Sequence, residues 1–137
     1  LKNTNDFKVF WKSSDNASKA FIDSYEEYAK TINKSKIWLA TLAAFGDVTP
    51  RHFEVLGSGT LLFCQEIPET YKFLLKDGVN CVSYKNDLSD FTEKISYYLN
   101  NPDEYDKIVL RAVSFFHKNW TWGHRTNSLL EEFEKRI

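Results

Sequence analysis

Thr49, Pro50, Arg51 and Glu54 form a short group whose residue types can handle an anion and a polyol, and they follow directly on the Gly46-containing loop Ala44–Thr49. Thr before Pro is a good helix start. Thr can satisfy free amides, and Pro at the first helical position gives up no hydrogen bond. Unpaired N–H groups and the helix dipole then point at the same place, which suits a phosphate. Arg51 adds a forked cation matched to phosphate oxygens. Glu54 lies three residues further on, one turn along the same face, where a carboxylate can accept from two adjacent sugar hydroxyls. The same spacing also fits a plain Arg51–Glu54 surface pair worth about 0.2–0.5 kcal/mol.

Alternating strands and helices are expected to position this group. Phe7–Trp11, Lys36–Leu42, Leu61–Cys64 and Val79–Tyr84 are short apolar, β-branched or aromatic runs that read as strands. Phe21, Ile22, Tyr25, Tyr28, Ala29 and Ile32 recur at amphipathic-helix spacing between the first two. Pro50 to Ser58 is a helix closed by Gly57 and Gly59, and Ile67 to Lys76 a short helix starting at Pro68. Three further helices are expected: Leu88–Leu99 capped by Asp87, Asp103–His117 behind Pro102, and about Gly123–Arg136. The pattern predicts an α/β fold, a Rossmann-like parallel sheet of about four strands with helices on both faces. In such sheets ligands sit beyond the carboxyl ends of the strands. That rule selects the loops Lys12–Asn16, Ala44–Thr49, Gln65–Pro68 and Lys85–Asp87.

Composition narrows the function. The 137 residues are an ordinary globular mixture, 42% hydrophobic and 27% charged, which excludes a disordered or low-complexity chain. Eighteen Lys and Arg against 19 Asp and Glu leave a net charge of −1, so no nucleic-acid partner is expected. The longest apolar run, Ile37–Phe45, falls far short of the roughly 20 residues of a membrane span. Cys64 and Cys81 lie in strand-like runs without a partner at metal-ligand spacing and read as buried thiols suited to a reducing, cytoplasmic setting. The chain starts at Leu1 and has no methionine, so it is expected to be a piece of a larger protein.

The segment Thr49-Pro50-Arg51-His52-Phe53-Glu54-Val55-Leu56-Gly57-Ser58-Gly59-Thr60 resembles the Arg-x-Phe-Glu-x-x-x-x-Gly motif of group 1 glycosyltransferases of the spore-coat-associated branch, which have the GT-B fold. The likeness continues through Phe73–Asn80, Leu99–Glu104 and Thr121–Arg125 and covers roughly residues 7 to 137. The resemblance implies that the chain is most of the C-terminal, donor-binding half of a two-domain transferase, the acceptor-binding N-terminal domain lying outside it. It implies a nucleoside diphosphate sugar as donor, a carbohydrate or glycoconjugate as acceptor, and no cofactor or metal. Transfer would need both domains, so the chain alone is expected to be inactive.

By the same resemblance the loop Gly46, Asp47, Val48 and Thr49 holds the diphosphate, Arg51 stands near phosphate and Glu54 takes the ribose hydroxyls. Trp11 and Lys12 end the first strand near the expected nucleobase region, although packing also explains them. The sequence departs from the related retaining enzymes at one point. They carry a second glutamate eight positions before the ribose glutamate, where this chain has Gly46, and Asp47 is a carboxylate one position out of register. No catalytic residue can be named. His52 reads as a partly buried helix histidine with a satisfied ring, and Trp120 and Trp122 as packing of the last helix against the sheet. The alternative to a donor-binding domain is a non-catalytic α/β interaction module or a degenerate transferase.

Overall fold

The computed structural model describes residues 24–136. Helix α1 (Tyr25–Lys34) is followed by strand β1 (Ile37–Ala40), helix α2 (Pro50–Ser58), strand β2 (Leu61–Gln65) and strand β3 (Val82–Tyr84). Helices α3 (Phe91–Asn100), α4 (Pro102–Asn119) and α5 (Trp122–Glu134) complete the order. The strands form one parallel sheet in the order β1-β2-β3. Ile37 pairs with Leu61 and Ala40 with Cys64 on one side of β2, while Phe63 pairs with Val82 and Gln65 with Tyr84 on the other.

Because β2 is central and covered on both faces, its apolar run is uninterrupted, as parallel strands require. Leu62 and Cys64 belong to a core cluster with Ile32, Val55 and Leu56 of α1 and α2. Leu61 and Phe63 belong to a second cluster with Val82, Tyr84 and Ile108, packed by Phe91 and Ile95 of α3. The Phe63 ring lies 5.1 Å from Tyr84 and 5.2 Å from Phe91, centre to centre. Helix α4 serves both clusters, Ala112 in the first and Ile108 and Val109 in the second. The chain is therefore an α/β protein, a Rossmann-like layer of three described strands flanked by helices. The fourth expected strand, Phe7–Trp11, lies outside the described residues.

Several boundaries differ from expectation, each for a local reason. β1 stops at Ala40, because the Leu42 N–H donates to the side chain of Gln65 (2.8 Å) and not to the ladder. The expected helix Ile67–Lys76 is only a 3-10 turn at Glu69–Tyr71. There the buried Asn80 side chain takes over, accepting from Lys76 N–H (2.8 Å) and donating to the Leu74 carbonyl (2.9 Å). The same turn consumes the start of the expected strand Val79–Tyr84: Val79 and Asn80 N–H both donate to the Lys76 carbonyl. Asp87 caps no helix. It accepts from Ser89 N–H (2.9 Å), while α3 begins after Asp90. Neither tryptophan packs the last helix against the sheet: Trp120 caps the end of α4 and packs near Phe53, Phe73 and Phe115, and Trp122 is 88% exposed. α5 starts at Trp122 and buries none of its described residues, so this ring has no core to enter.

Candidate functional site

The loop after β1 is built to hold one shape. Gly46 N–H donates to the Ala43 carbonyl (2.9 Å), and Ala43 N–H donates to the Asp47 carbonyl (2.8 Å). Closing that turn takes Gly46 to φ +80°, a left-handed conformation that glycine adopts without a Cβ penalty. The Asp47 carboxylate accepts from the Tyr71 hydroxyl at 2.8 Å, and this bond raises the Tyr71 pKa. Val48 packs against the first core cluster. The loop is thus fastened at Leu42, Asp47 and Val48, and it delivers Thr49 to the helix start in an extended conformation (φ −95°, ψ 161°).

His52 closes that start. Its Nδ1 accepts from Thr49 N–H at 3.2 Å and lies 3.0 Å from the Thr49 hydroxyl, the third helical residue turning back on the cap as in a capping box. Burial lowers the His52 pKa, so the ring is neutral, with the proton on Nε2. Nε2 is buried and has no hydrogen-bond partner among the described residues. The ring is therefore satisfied on one nitrogen only, a correction to the expected fully satisfied histidine.

Thr49, Pro50, Arg51 and Glu54 line an open hollow of about 350 Å³ together with Thr41 and Leu42 from the end of β1 and Tyr28 from α1. It lies at the carboxyl end of a parallel strand and the N-terminus of the following helix, the place where α/β sheets bind ligands. Arg51 offers donors to an anion through its guanidinium and its own N–H, since Pro50 has no N–H and those of Thr49 and His52 are taken by His52 Nδ1 and the Thr49 carbonyl, while Glu54 offers acceptors to hydroxyls. The ion pair that the Arg51–Glu54 spacing allows is not made. Glu54 Oε2 accepts instead from the Tyr28 hydroxyl at 2.8 Å. Tyr28 is held edge-on to Trp38, ring centres 5.8 Å apart. Burial first, then the bond to Glu54, raises its pKa.

The structure brings Thr49, Arg51 and Glu54 together around one hollow. Gly46, Asp47 and Val48 are in the supporting loop and do not line it; Asp47 is occupied by Tyr71. Trp11 and Lys12 lie outside the described residues. Sequence reasoning missed Tyr28 as a polar member of the site, because helical spacing marked it only as part of an apolar face. Gln65 and Tyr71, which fasten the loop, were equally invisible, since each acts across more than twenty residues of chain. Among the described residues no group of three His, Cys, Asp or Glu side chains could hold a metal ion. Cys64 and Cys81 are free and buried.

Fold and site together define a Rossmann-like domain with an anion-suited helix start beside a carboxylate. A family model described as glycosyl transferase-like matches residues 5–131, nearly the whole chain, and the chain belongs to that family. A comparison with curated proteins finds no match. Among the described residues no helix is long and apolar enough to cross a membrane.

Proposed function

We propose that this chain is the donor-binding, C-terminal half of a two-domain GT-B glycosyltransferase and that its hollow takes a nucleoside diphosphate sugar. The observation that carries the reading is the meeting of Thr49, Arg51 and Glu54 around one hollow at the start of α2, in a chain of the glycosyl transferase-like family. The diphosphate lies against the guanidinium and backbone N–H of Arg51, at the Thr49 end of the loop, and Glu54 accepts from the ribose hydroxyls. The sugar then projects toward the acceptor, a carbohydrate or glycoconjugate held by a further domain.

Transfer breaks the bond between the sugar's anomeric carbon and the diphosphate oxygen and forms one to an acceptor oxygen. Negative charge accumulates on the departing diphosphate. Donors already aimed at that position stabilise the charge without reorganising, and a fixed ribose orients the bond to be broken.

The test is binding of UDP, GDP and ADP to the full-length protein by titration calorimetry, comparing Glu54→Gln with Glu27→Gln on α1. A hydrogen bond to a charged group contributes about 1.5–3 kcal/mol, so Glu54→Gln is expected to weaken the tightest nucleotide about tenfold to a hundredfold and Glu27→Gln hardly at all. Equal affinities for the two variants would favour the interaction-module alternative.

A further inference from the structure

Arg51 and Glu54 are three residues apart on one helix, the spacing at which opposite charges pair when nothing else competes. In the structure Glu54 Oε2 is taken by the Tyr28 hydroxyl at 2.8 Å, a bond that joins α1 to α2 across 26 positions of sequence. Arg51 lines the same hollow as Tyr28 and Glu54. Tyr28 is itself fixed, its half-buried ring edge-on to Trp38 of β1 and packed against the first core cluster. α1 is held in place by a second bond, from the Thr60 hydroxyl to the Ile32 carbonyl at 2.7 Å.

We propose that Tyr28 is a positioning residue for the sugar-binding carboxylate: its hydroxyl holds one oxygen of Glu54 out of an ion pair with Arg51, which leaves the carboxylate for the ribose and the guanidinium for the diphosphate. This inference rests on the donor-site reading above. A carboxylate has about four lone-pair sites, and the tyrosine uses one, so Oε1 stays open to a ribose hydroxyl. The tyrosine oxygen has donated its proton and keeps lone pairs that can accept from Arg51 or from the second hydroxyl of the diol. If the hydroxyl is removed, Glu54 is free to turn toward Arg51. One ion pair then occupies both the acceptor meant for the ribose and the donor meant for the phosphate.

The experiment measures binding of UDP, GDP and ADP, and of their 2′-deoxy counterparts, to the full-length wild type, Tyr28→Phe, Glu54→Gln, the double variant and Arg51→Gln. Phenylalanine keeps the ring against Trp38, and near-ultraviolet circular dichroism confirms the packing. Tyr28→Phe is expected to weaken the tightest ribonucleotide about tenfold or more and to reduce its preference over the 2′-deoxy form by a smaller factor, because losing Arg51 from the phosphate weakens both forms. Two residues that act through one hydrogen bond are not additive, so the double variant is expected to bind about as Glu54→Gln does. Arg51→Gln, which leaves Tyr28 and Glu54 in place, is expected to lower affinity while keeping the 2′-hydroxyl preference.

Equal losses for ribo and deoxy ligands, full additivity with Glu54→Gln, or collapse of the preference in Arg51→Gln would each overturn the positioning role. A response to Glu54→Gln with none to Tyr28→Phe would overturn it while leaving the donor site standing. Absence of nucleotide binding by the wild type would remove the donor site and this inference with it.

Discussion

Gly57 lies against Phe116. A Cβ added to the glycine would stand 2.7 Å from two carbons of the phenylalanine ring, closer than any real contact of that kind. The approach is what lets α4 press α2 onto the sheet, and α2 carries Arg51 and Glu54. Gly57, an unspecified position inside the motif segment, thus has a packing reason in this structure.

Gly57→Ala is expected to destabilise the protein. The alanine gains up to about 1 kcal/mol of helix propensity, but overpacking against a ring costs about 1–3 kcal/mol. A urea titration should show a net loss on the order of 1 kcal/mol, partly restored by adding Phe116→Leu. A Gly57→Ala protein as stable as wild type would mean that α2 and α4 separate freely.

The loop leading to the site depends on Tyr71. Tyr71→Phe removes the hydroxyl that holds Asp47 but keeps the half-buried ring against the first core cluster, so global stability is expected to change little. The expected effect is local. The amides of Ala43 and Gly46, both bonded inside this loop, should exchange hydrogen faster, while the interior amides of α2 keep wild-type protection. Unchanged exchange at Ala43 would show that Leu42 and Val48 hold the loop without help.

Which parts of this were legible beforehand follows from how locally each was encoded. The bounds of α2 were readable because Thr49-Pro50 starts a helix and Gly59, at φ +83°, ends it within its own few residues. β2 was readable because a strand covered on both faces shows an unbroken apolar run. The segment Ile67–Lys76 was misread because its fate is set by Asn80, whose amide closes the loop from beyond the window in which a helix is judged. Trp122 was misplaced because its chemistry says burial while its helix offers no core. At the site, Arg51 and Glu54 were found by spacing, but which bond Glu54 makes depended on where α1 lies, and neither periodicity nor motif contains that.

The neutral, buried His52 makes stability depend on pH. Its folded pKa lies below the unfolded value of about 6.5. As pH falls through about 6.5 the unfolded chain takes up a proton that the folded chain refuses. The histidine's contribution is therefore complete above that value, and it declines as pH drops toward the folded pKa. Melting temperatures measured from pH 7.5 downward should fall more steeply in wild type than in His52→Gln, which removes this proton uptake. Parallel profiles would show that His52 does not carry the dependence.

Arg51 is expected to read the diphosphate and little else. Its guanidinium can take two oxygens at once, while lysine supplies only a point charge. Arg51→Ala should therefore weaken UDP, GDP or ADP, whichever binds best, by about tenfold or more, at the 1.4 kcal/mol per decade that a charge-assisted bond can supply. The corresponding nucleoside monophosphate should lose much less, and Arg51→Lys should recover part of the diphosphate affinity. The contact is exposed to solvent, so raising the salt concentration should narrow the gap between wild type and Arg51→Ala. Equal losses for mono- and diphosphate would place the guanidinium away from the terminal phosphate.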